Sequence, residues 1–242
     1  MPPLPTRHQD AVDRIAAWIV RGRFDSALPL PTEAELGAEL GVSRTVVREA
    51  MRTLAAKGLV LVRPGKGTHV RPPETWNLFD PQVIVWRMEA GMSRELVDDL
   101  IGFRLAIEPF AAEQAALRDD FPAADLDRAY ARMVQAVNGN GSYNDADLAF
   151  HETILRGSQN QFLVHLVPFV ANALRLSFDL SVRNLDSARA SLPLHRKVAD
   201  AITAHDGAAA RAAFVDLIRS ARADIYAALT ERSAEVVECN RR

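Results

Sequence analysis

The chain has 242 residues, with 29 Lys and Arg against 31 Asp and Glu, and a formal net charge of −2. Its composition is that of an ordinary globular protein of one or two domains. No stretch reaches the ~20 consecutive apolar residues that a membrane-spanning helix needs, and the N-terminal segment is charged where a signal peptide is apolar. With Cys239 as the single cysteine, we expect a cytoplasmic protein without an internal disulfide or a membrane partner.

The charge is unevenly distributed along the chain. Residues 1–71 contain eleven Lys and Arg against seven Asp and Glu, whereas residues 72–242 contain eighteen against twenty-four. A basic front end joined to an acidic remainder favours a nucleic-acid module attached to a second domain. Charge alone does not decide this, because many surfaces of this kind are only solvated.

The first elements in chain order are two helices. Residues 8–22 place their apolar side chains on one helical face. After a proline-rich turn, Thr32 followed by Glu35 forms a capping-box pattern that begins a short helix over residues 33–40. Gly41 then ends that helix.

A second capped helix and a hairpin follow. Ser43 caps a helix over residues 44–58, and the order short helix, glycine turn, capped helix predicts a helix-turn-helix. Residues 59–72 contain two short strands around a Pro-Gly-Lys-Gly turn. We predict that this hairpin is a wing, so that residues 1–71 form a winged helix-turn-helix.

The second helix of this motif carries the chemistry that DNA recognition needs. Arginine binds guanine through two hydrogen bonds, and hydroxyls at a helix N-terminus suit phosphate oxygens. Each residue alone is also typical of a solvated surface arginine or of an N-cap serine. Taken together, the motif predicts DNA contacts from Ser43, Arg44, Thr45 and Arg48 on the helix and from Gly65 and Lys66 at the wing tip.

The run LPLPTEAELGAELGVSRTVVREAMRTLAAKGLVLVRPGKGTHV resembles the DNA-binding domain of the GntR superfamily. The shared pieces are the Leu-Pro turn, E-x-x-L, G-V-S-R-T-x-V-R-E-A and G-x-G-T-x-V. The resemblance implies that Arg44, Thr45, Arg48 and the Gly65-Lys66 tip contact double-stranded operator DNA. Ala34 stands where many relatives carry an arginine that also contacts DNA.

The rest of the chain is predicted to be helical. A proline-rich segment over residues 72–79 marks a linker, and residues 233–242 form a charged tail. Between them, residues 80–232 predict an all-α domain of six or seven helices, and ligand sites in such bundles lie between helices. The predicted helices cover residues 80–91, 94–117, 123–137, 143–157, 160–181, 193–205 and 208–232.

Two groups of polar residues within this domain suggest a binding site. Asp147 and His151 are spaced i, i+4 on one helix, and with His195 they could form a ligand shell for a divalent metal ion. The alternative is an ordinary i, i+4 surface pair.

Arg104 lies four residues before Glu108 on an otherwise apolar helix. This spacing indicates either an intrahelical ion pair or an arginine that binds an anionic effector. Arg175, also within a mostly apolar helix, is a second candidate for effector binding.

Residues 95–230 resemble the FCD effector-binding domain of FadR-type GntR regulators. The shared features are R-x-x-x-E-P-x-A-A-E-x-A-A from Arg104, D-x-x-x-H from Asp147, and H-R-x-x-x-D-A-I from His195. The resemblance implies that Asp147, His151 and His195 bind a metal of the Zn, Ni or Mn type. Metal-binding members have a further histidine twenty-two residues after the last of these, where this chain has Leu217. Water or the effector would then complete the shell.

The motif W-N-x-x-D-x-x-V-x-x-W, from Trp76 to Trp86, resembles regulators of the galactonate-operon repressor type, which respond to sugar acids. The sequence therefore predicts a homodimeric DNA-binding repressor of a catabolic operon that senses a small carboxylate, and not an enzyme. Two alternatives stay open at this stage: a helical domain that serves only dimerisation, or a metal-dependent enzyme.

Overall fold

A computed structural model describes residues 6–181 and 185–239, and the side chains of residues 6–175 and 186–230. The chain divides into two compact units, Met1–Gly91 and Met92–Arg242. Within the described residues, the strands form one two-stranded antiparallel sheet and the other regular elements are helical. The predicted fold class, a winged helix-turn-helix followed by an all-α domain, is confirmed.

The first unit contains four α-helices and a β-hairpin. Its elements are α1 (Arg7–Val20), α2 (Glu33–Leu40), α3 (Arg44–Ala56), β1 (Val60–Arg63), β2 (Gly67–Val70) and α4 (Pro81–Glu89), with a 3-10 turn over Pro73–Thr75. The predicted capping box begins α2: the Glu35 N–H donates to Thr32 Oγ1, and the Thr32 N–H donates to the Glu35 carboxylate. Gly41 ends α2 in the left-handed region, at φ 70°. The core fixes α2 and α3 against α1 through buried Val12, Ile15, Leu36, Val47 and Leu54.

The hairpin is tied to the proline-rich turn that precedes α2. In the hairpin Val60 pairs with Val70 and Arg63 with Gly67. The Leu30 N–H donates to the Thr68 carbonyl at 2.7 Å, so residues 29–30 lie along the outer edge of β2. This arrangement places the wing beside the start of the helix-turn-helix.

Helix α4 packs on the first unit, although the sequence analysis assigned it to the C-terminal domain. Val83 and Trp86 belong to the core of this unit, and Trp86 Nε1–H donates to Asp13 Oδ1 at 3.0 Å. Asp80, the N-cap of α4, accepts a hydrogen bond from Lys57 Nζ at 2.6 Å. Because of these contacts, the boundary between the compact units falls at Gly91 and not at the predicted linker over residues 72–79.

The described part of the second unit contains six helices. They are α5 (Arg94–Ala116), α6 (Ala123–Val137), α7 (Tyr143–Gly157), α8 (Gln161–Ser181), α9 (Leu185–Thr203) and α10 (Gly207–Cys239). Helix α10 packs against α5, α8 and α9, while α7 packs against α5, α6 and α8. The apolar core between them includes Phe150, Ile154, Ile202, Phe214 and Ile218, all essentially inaccessible to solvent.

Two boundaries in this unit differ from those predicted. Helix α9 begins at Leu185, eight residues before Pro193, which a sequence pattern treats as a helix start because proline fits the first turn. Helix α10 continues to Cys239, so residues 233–239 of the predicted tail are helical and residues 240–242 lie outside the described residues. Among the helices described, none combines the length and apolar character needed to cross a membrane.

Candidate functional site

The helix-turn-helix presents its predicted DNA-contacting residues to solvent. Ser43 is the N-cap of α3, and its Oγ accepts the Val46 N–H at 3.4 Å. Arg44, Thr45 and Arg48 follow on the first turns of α3, and all three are exposed. An exposed polar N-terminal turn is the part of a recognition helix that reaches bases and phosphates.

Arg48 is held in place by a residue that the sequence analysis did not single out. Its Nε and Nη2 donate to both carboxylate oxygens of Glu33, at 2.8–3.1 Å. This hydrogen bond lowers the pKa of Glu33, which therefore stays ionised. Glu33 is the first residue of α2, so the pair links the two helices of the motif.

The wing tip is supported from β2. Gly65 and Gly67 adopt φ values of 72° and 85°, which a residue with a Cβ rarely tolerates. Buried His69 lies with Nε2 3.1 Å from the Lys66 carbonyl, which only accepts, so this ring nitrogen donates. The contact orients the turn, and Gly65 and Lys66 are exposed at its tip.

In the second unit, five polar side chains from three helices are buried together. They are Arg104 and Glu108 on α5, Asp147 and His151 on α7, and His195 on α9, each 1–3% exposed. Burial of so many ionisable groups is costly unless they pair with one another. Their mutual contacts therefore define the site.

Glu108 bridges Arg104 and His151. The Arg104 Nε–H donates to Glu108 Oε1 at 2.5 Å, and His151 Nδ1 contacts Glu108 Oε2. Because an ionised carboxylate only accepts hydrogen bonds, Nδ1 of His151 carries a proton, which leaves Nε2 as the ring atom that could bind a metal ion. Burial alone raises the pKa of Glu108, but the charge of Arg104 and the interactions with His151 outweigh it and lower the pKa to about 2.

His195 is oriented in the same sense by a backbone carbonyl. Its Nδ1 lies 2.9 Å from the Ser191 carbonyl, so Nδ1 donates and Nε2 is again the ring atom that could bind a metal ion. Both Nε2 atoms face Asp147, that of His195 at 2.7 Å from Oδ1 and that of His151 at 3.6 Å from Oδ2. The short His195–Asp147 contact lacks hydrogen-bond geometry, which leaves His195 Nε2 without a hydrogen-bond partner among the described residues.

This donor set fits a divalent metal ion. One ligand atom from each of Asp147, His151 and His195 lies within 4.8 Å of the others, and all three residues are buried. Two imidazole nitrogens and a carboxylate that converge in this way need a proton or a cation between them. Burial opposes ionisation of Asp147, but its interactions with His151, His195 and Arg104 lower its pKa, so it offers a charged ligand. Glu108 and the Ser191 carbonyl supply the outer hydrogen bonds that metal-binding histidines require.

The cluster opens onto a cavity of about 540 Å³, counting its opening to solvent. Arg104, Asp147, His151 and His195 all line this cavity. Leu217 lines it too, which places an apolar side chain beside the three polar ligands. Its mixture of apolar, polar and charged lining residues is typical of sites for small organic ligands.

The structure does not bring Arg175 into this site. It is exposed on α8, whereas its neighbour Leu174 is buried and lines the cavity. Arg175 is not among the residues that line the cavity, and its assignment as an effector contact stays a prediction.

The cavity also contains polar residues that the sequence analysis missed, namely Tyr143, Ser187, Ser191, Ser220 and Asp224. Ser191 Oγ donates to the Ala188 carbonyl, so the Tyr143 hydroxyl donates to Ser191 Oγ, at 2.5 Å. Burial raises the pKa of Tyr143, which keeps this hydroxyl protonated. The i, i+4 spacing of Tyr143 before Asp147 was the one signal available in the sequence.

Two family models match the chain. The bacterial regulatory proteins of the gntR family match residues 7–70, and the FCD domain matches residues 99–220. The HTH-type transcriptional regulator YieP of Escherichia coli K12 is 34% identical over 212 residues, which cover 86% of this chain and 90% of that protein.

Two further proteins extend this likeness. The galactonate operon transcriptional repressor of Escherichia coli K12 is 31% identical over 210 residues, which cover 84% of this chain and 89% of that protein. Lar, which controls the agr system of Listeria monocytogenes, shares the fold with a TM-score of 0.61 at 16% identity, over 93% of this chain and 98% of Lar.

These matches cover both compact units, and the families are transcription regulators rather than enzymes. They agree with an exposed helix-turn-helix and with a helical domain that contains a cavity. The chain therefore belongs to the GntR family of bacterial transcription regulators and carries a C-terminal FCD domain.

Proposed function

We propose that this chain is a repressor whose FCD domain senses a sugar acid with the help of a divalent metal ion. The observation that supports this most is the convergence of Arg104, Asp147, His151 and His195 on one cavity. An arginine and a three-residue metal shell in one small cavity favour a carboxylate ligand.

Arg104 can contribute charge without leaving its buried partner. In the described part of the chain only its Nε–H is engaged, by Glu108, so the Nη donors are available to a ligand carboxylate. Glu108 in turn fixes the plane of the guanidinium. The arginine is thus pre-oriented, which reduces the entropy lost when an anion binds.

Asp147, His151 and His195 would hold the metal ion through one carboxylate oxygen and two Nε2 atoms. When bound, a metal of the Zn, Ni or Mn type supplies positive charge and open coordination positions. Because Leu217 offers no donor atom, this chain leaves one more position open than a four-residue site does. The carboxylate and 2-hydroxyl of a sugar acid are suited to fill such neighbouring positions.

The likeness to the galactonate operon transcriptional repressor favours a sugar acid among possible carboxylates. Galactonate is a polyhydroxy monocarboxylate with a hydroxyl next to the carboxylate group. A ligand of this class matches both the charged residues and the hydroxyl-bearing residues of the cavity.

On the DNA side, two copies of the winged domain would bind the halves of an inverted repeat, since the symmetry of a dimer matches that of its operator. Arg44, Thr45, Arg48 and the wing tip would make the contacts. For the effector to release DNA, it must bind more tightly to the arrangement that does not fit the operator than to the one that does.

The experiment has two parts. Operator binding by the full chain is followed by fluorescence anisotropy with sugar acids, other 2-hydroxy acids and dicarboxylates, and thermal shifts are recorded with Zn²⁺ or with a chelator. We expect a sugar acid to release the operator and to stabilise only the Zn²⁺-loaded protein. Stabilisation regardless of metal would mean that the histidines do not take part in sensing the acid. If no acid changes either readout, the FCD domain serves dimerisation and the sensor proposal is wrong.

A further inference from the structure

The residues that line the cavity follow one face of each contributing helix. On α7 they are Tyr143, Asp147 and His151, at i, i+4 and i+8; on α9 they are Ser187, Ser191 and His195, with the same spacing; on α10 they include Leu217 and Asp224, seven residues apart. Residues with these spacings lie above one another along a helix. The cavity therefore has two ends, separated by about two helical turns, or ~10 Å along α10.

Contacts between the helices fix which residues share an end. The rings of His151 and Phe214 are 5.3 Å apart, so the start of α10 lies beside the metal-ligand cluster. Tyr143 donates to Ser191, one turn away from the Asp147–His195 contact on both helices. Two residues before Asp224, Arg222 donates to Asp98 of α5, ten residues before Glu108, so this turn of α10 lies at the end away from Glu108 and His151.

Among the described residues, Asp224 differs from Asp147, the other carboxylate in the cavity lining, in having no partner. It is half-buried, and no hydrogen bond or ion pair reaches it from the described residues. Burial raises its pKa. A carboxylate in this state attracts hydrogen-bond donors from a ligand and repels a second anion.

We infer that Asp224 selects the chemical class of the effector: it accepts hydrogen bonds from the hydroxyls at the far end of a sugar acid and rejects a ligand with a second carboxylate there. The effector is then an aldonic acid, with one carboxylate at the Arg104 end and a neutral polyol tail, and not an aldaric acid. The Tyr143–Ser191 pair, one turn away from the Asp147–His195 contact, provides further hydroxyl contacts. This inference rests on the proposed sugar-acid sensor and narrows its ligand.

Matched pairs of acids test this selection. D-galactonate and galactarate differ only at C6, as do D-gluconate and D-glucarate. Binding of all four to the Zn²⁺-loaded full chain is measured by calorimetry for the unsubstituted protein, for Asp224→Asn and Asp224→Ser, and for Asp216→Asn. Asp216 is an exposed residue of the same helix and does not line the cavity, so its variant controls for loss of charge.

We expect the unsubstituted protein and the Asp216→Asn variant to prefer an aldonate over its aldarate by about tenfold or more. In both Asp224 variants the preference for the aldonate should fall by about tenfold as well. The aldarate then binds better, and the aldonate loses a hydrogen bond. Circular dichroism checks that they are folded.

The outcomes separate the two claims. If an aldonate binds but the ratio is the same in the Asp224 variants, the role of Asp224 is wrong and the sensor stands. If aldarates bind the unsubstituted protein better, the inference is also overturned. If none of the acids binds any variant, the sugar-acid sensor itself fails and the inference fails with it.

Discussion

Both functional regions of this protein pair an arginine with a glutamate, but the two pairs differ in their exposure to water. In the winged domain, 55% of the Arg48 side chain and 37% of the Glu33 side chain are exposed. In the FCD domain the corresponding values for Arg104 and Glu108 are 3% and 1%. The chemistry of the two pairs is the same, and burial separates their roles.

The exposed pair can exchange partners. Water and salt screen it, so we predict that a phosphate or a base edge replaces Glu33 as the partner of Arg48 when DNA binds. The buried pair cannot, because either charge left alone in the protein interior is strongly unfavourable. Glu108 is therefore suited to orient Arg104 and His151 permanently, whereas Glu33 is suited to hold Arg48 only until DNA binds.

The largest expected effect is on stability, in a comparison of Glu108→Ala with Glu33→Ala. Loss of Glu108 leaves Arg104 buried without its partner, which we expect to lower the free energy of unfolding by about 3–5 kcal/mol. Loss of Glu33 should change it little, since the pair is screened by solvent. Urea unfolding of both variants measures the difference. Equal losses would show that burial does not distinguish these pairs.

A milder change, Glu108→Gln, tests the link from this pair to the metal ligands. The amide keeps the shape of the side chain but removes the charge that holds His151 Nδ1–H, so Zn²⁺ affinity should fall roughly 10–100-fold. Competition with a chromogenic chelator measures it. Glu152→Gln, on the exposed side of α7, is the control and should bind Zn²⁺ like the unsubstituted protein. An unchanged affinity in Glu108→Gln would remove Glu108 from the support of the site.

For the exposed pair, the corresponding test is operator binding. Arg48→Ala should weaken operator affinity by about tenfold to a hundredfold if Arg48 reads a base edge. Glu33→Gln should not weaken it, because DNA takes the place of Glu33. Arg211→Ala, which removes an exposed arginine from α10, controls for net charge. Anisotropy titrations at one salt concentration give the three affinities. If Arg48→Ala binds like the control, Arg48 is not a DNA contact.

Much of the fold could be predicted because its signals are local. The capping box at Thr32 and Glu35, the N-cap at Ser43 and the i, i+4 spacing of Asp147 and His151 each involve residues one helical turn apart. The structure confirms both caps and brings Asp147 and His151 together with His195. For His195, the family resemblance supplied what spacing could not, since forty-four residues separate it from His151.

The parts that were missed depend on contacts between elements. Glu33 and Arg48 are fifteen residues apart on different helices, and no local pattern pairs them. The predicted helix began at residue 193 rather than at Leu185, which left Ser187 and Ser191 outside it and hence outside the predicted site. Arg175 was chosen from an apolar context, but the direction of its side chain depends on how α8 packs.

A third ion pair, of intermediate exposure, provides the most sensitive test of the comparison. Lys57 and Asp80, at 2.6 Å, keep 16% and 19% of their side-chain surface exposed, between the values of the other two pairs. Asp80→Asn removes the charge but keeps the N-cap of α4, because asparagine also caps helices well. We expect a loss of about 1 kcal/mol at neutral pH, the upper end for pairs that solvent still screens. Asp80→Ala, which loses the cap as well, should lose more.

The pH dependence of this loss of stability shows whether the charge of Asp80 stabilises the folded protein. Burial alone raises the pKa of Asp80, but hydrogen bonds from Lys57 and from the backbone of α4 lower it below its ordinary value of 3.8. A carboxyl group whose pKa is lower in the folded than in the unfolded protein stabilises the fold at pH values above its unfolded pKa. This stabilisation is lost as the pH falls through the folded pKa. The difference in unfolding free energy between Asp80→Asn and the unsubstituted protein should therefore be constant near neutrality and shrink below pH 3.8. A difference that stays the same in acid would mean that the charge of Asp80 contributes nothing, and exposure would then fail to rank the three pairs.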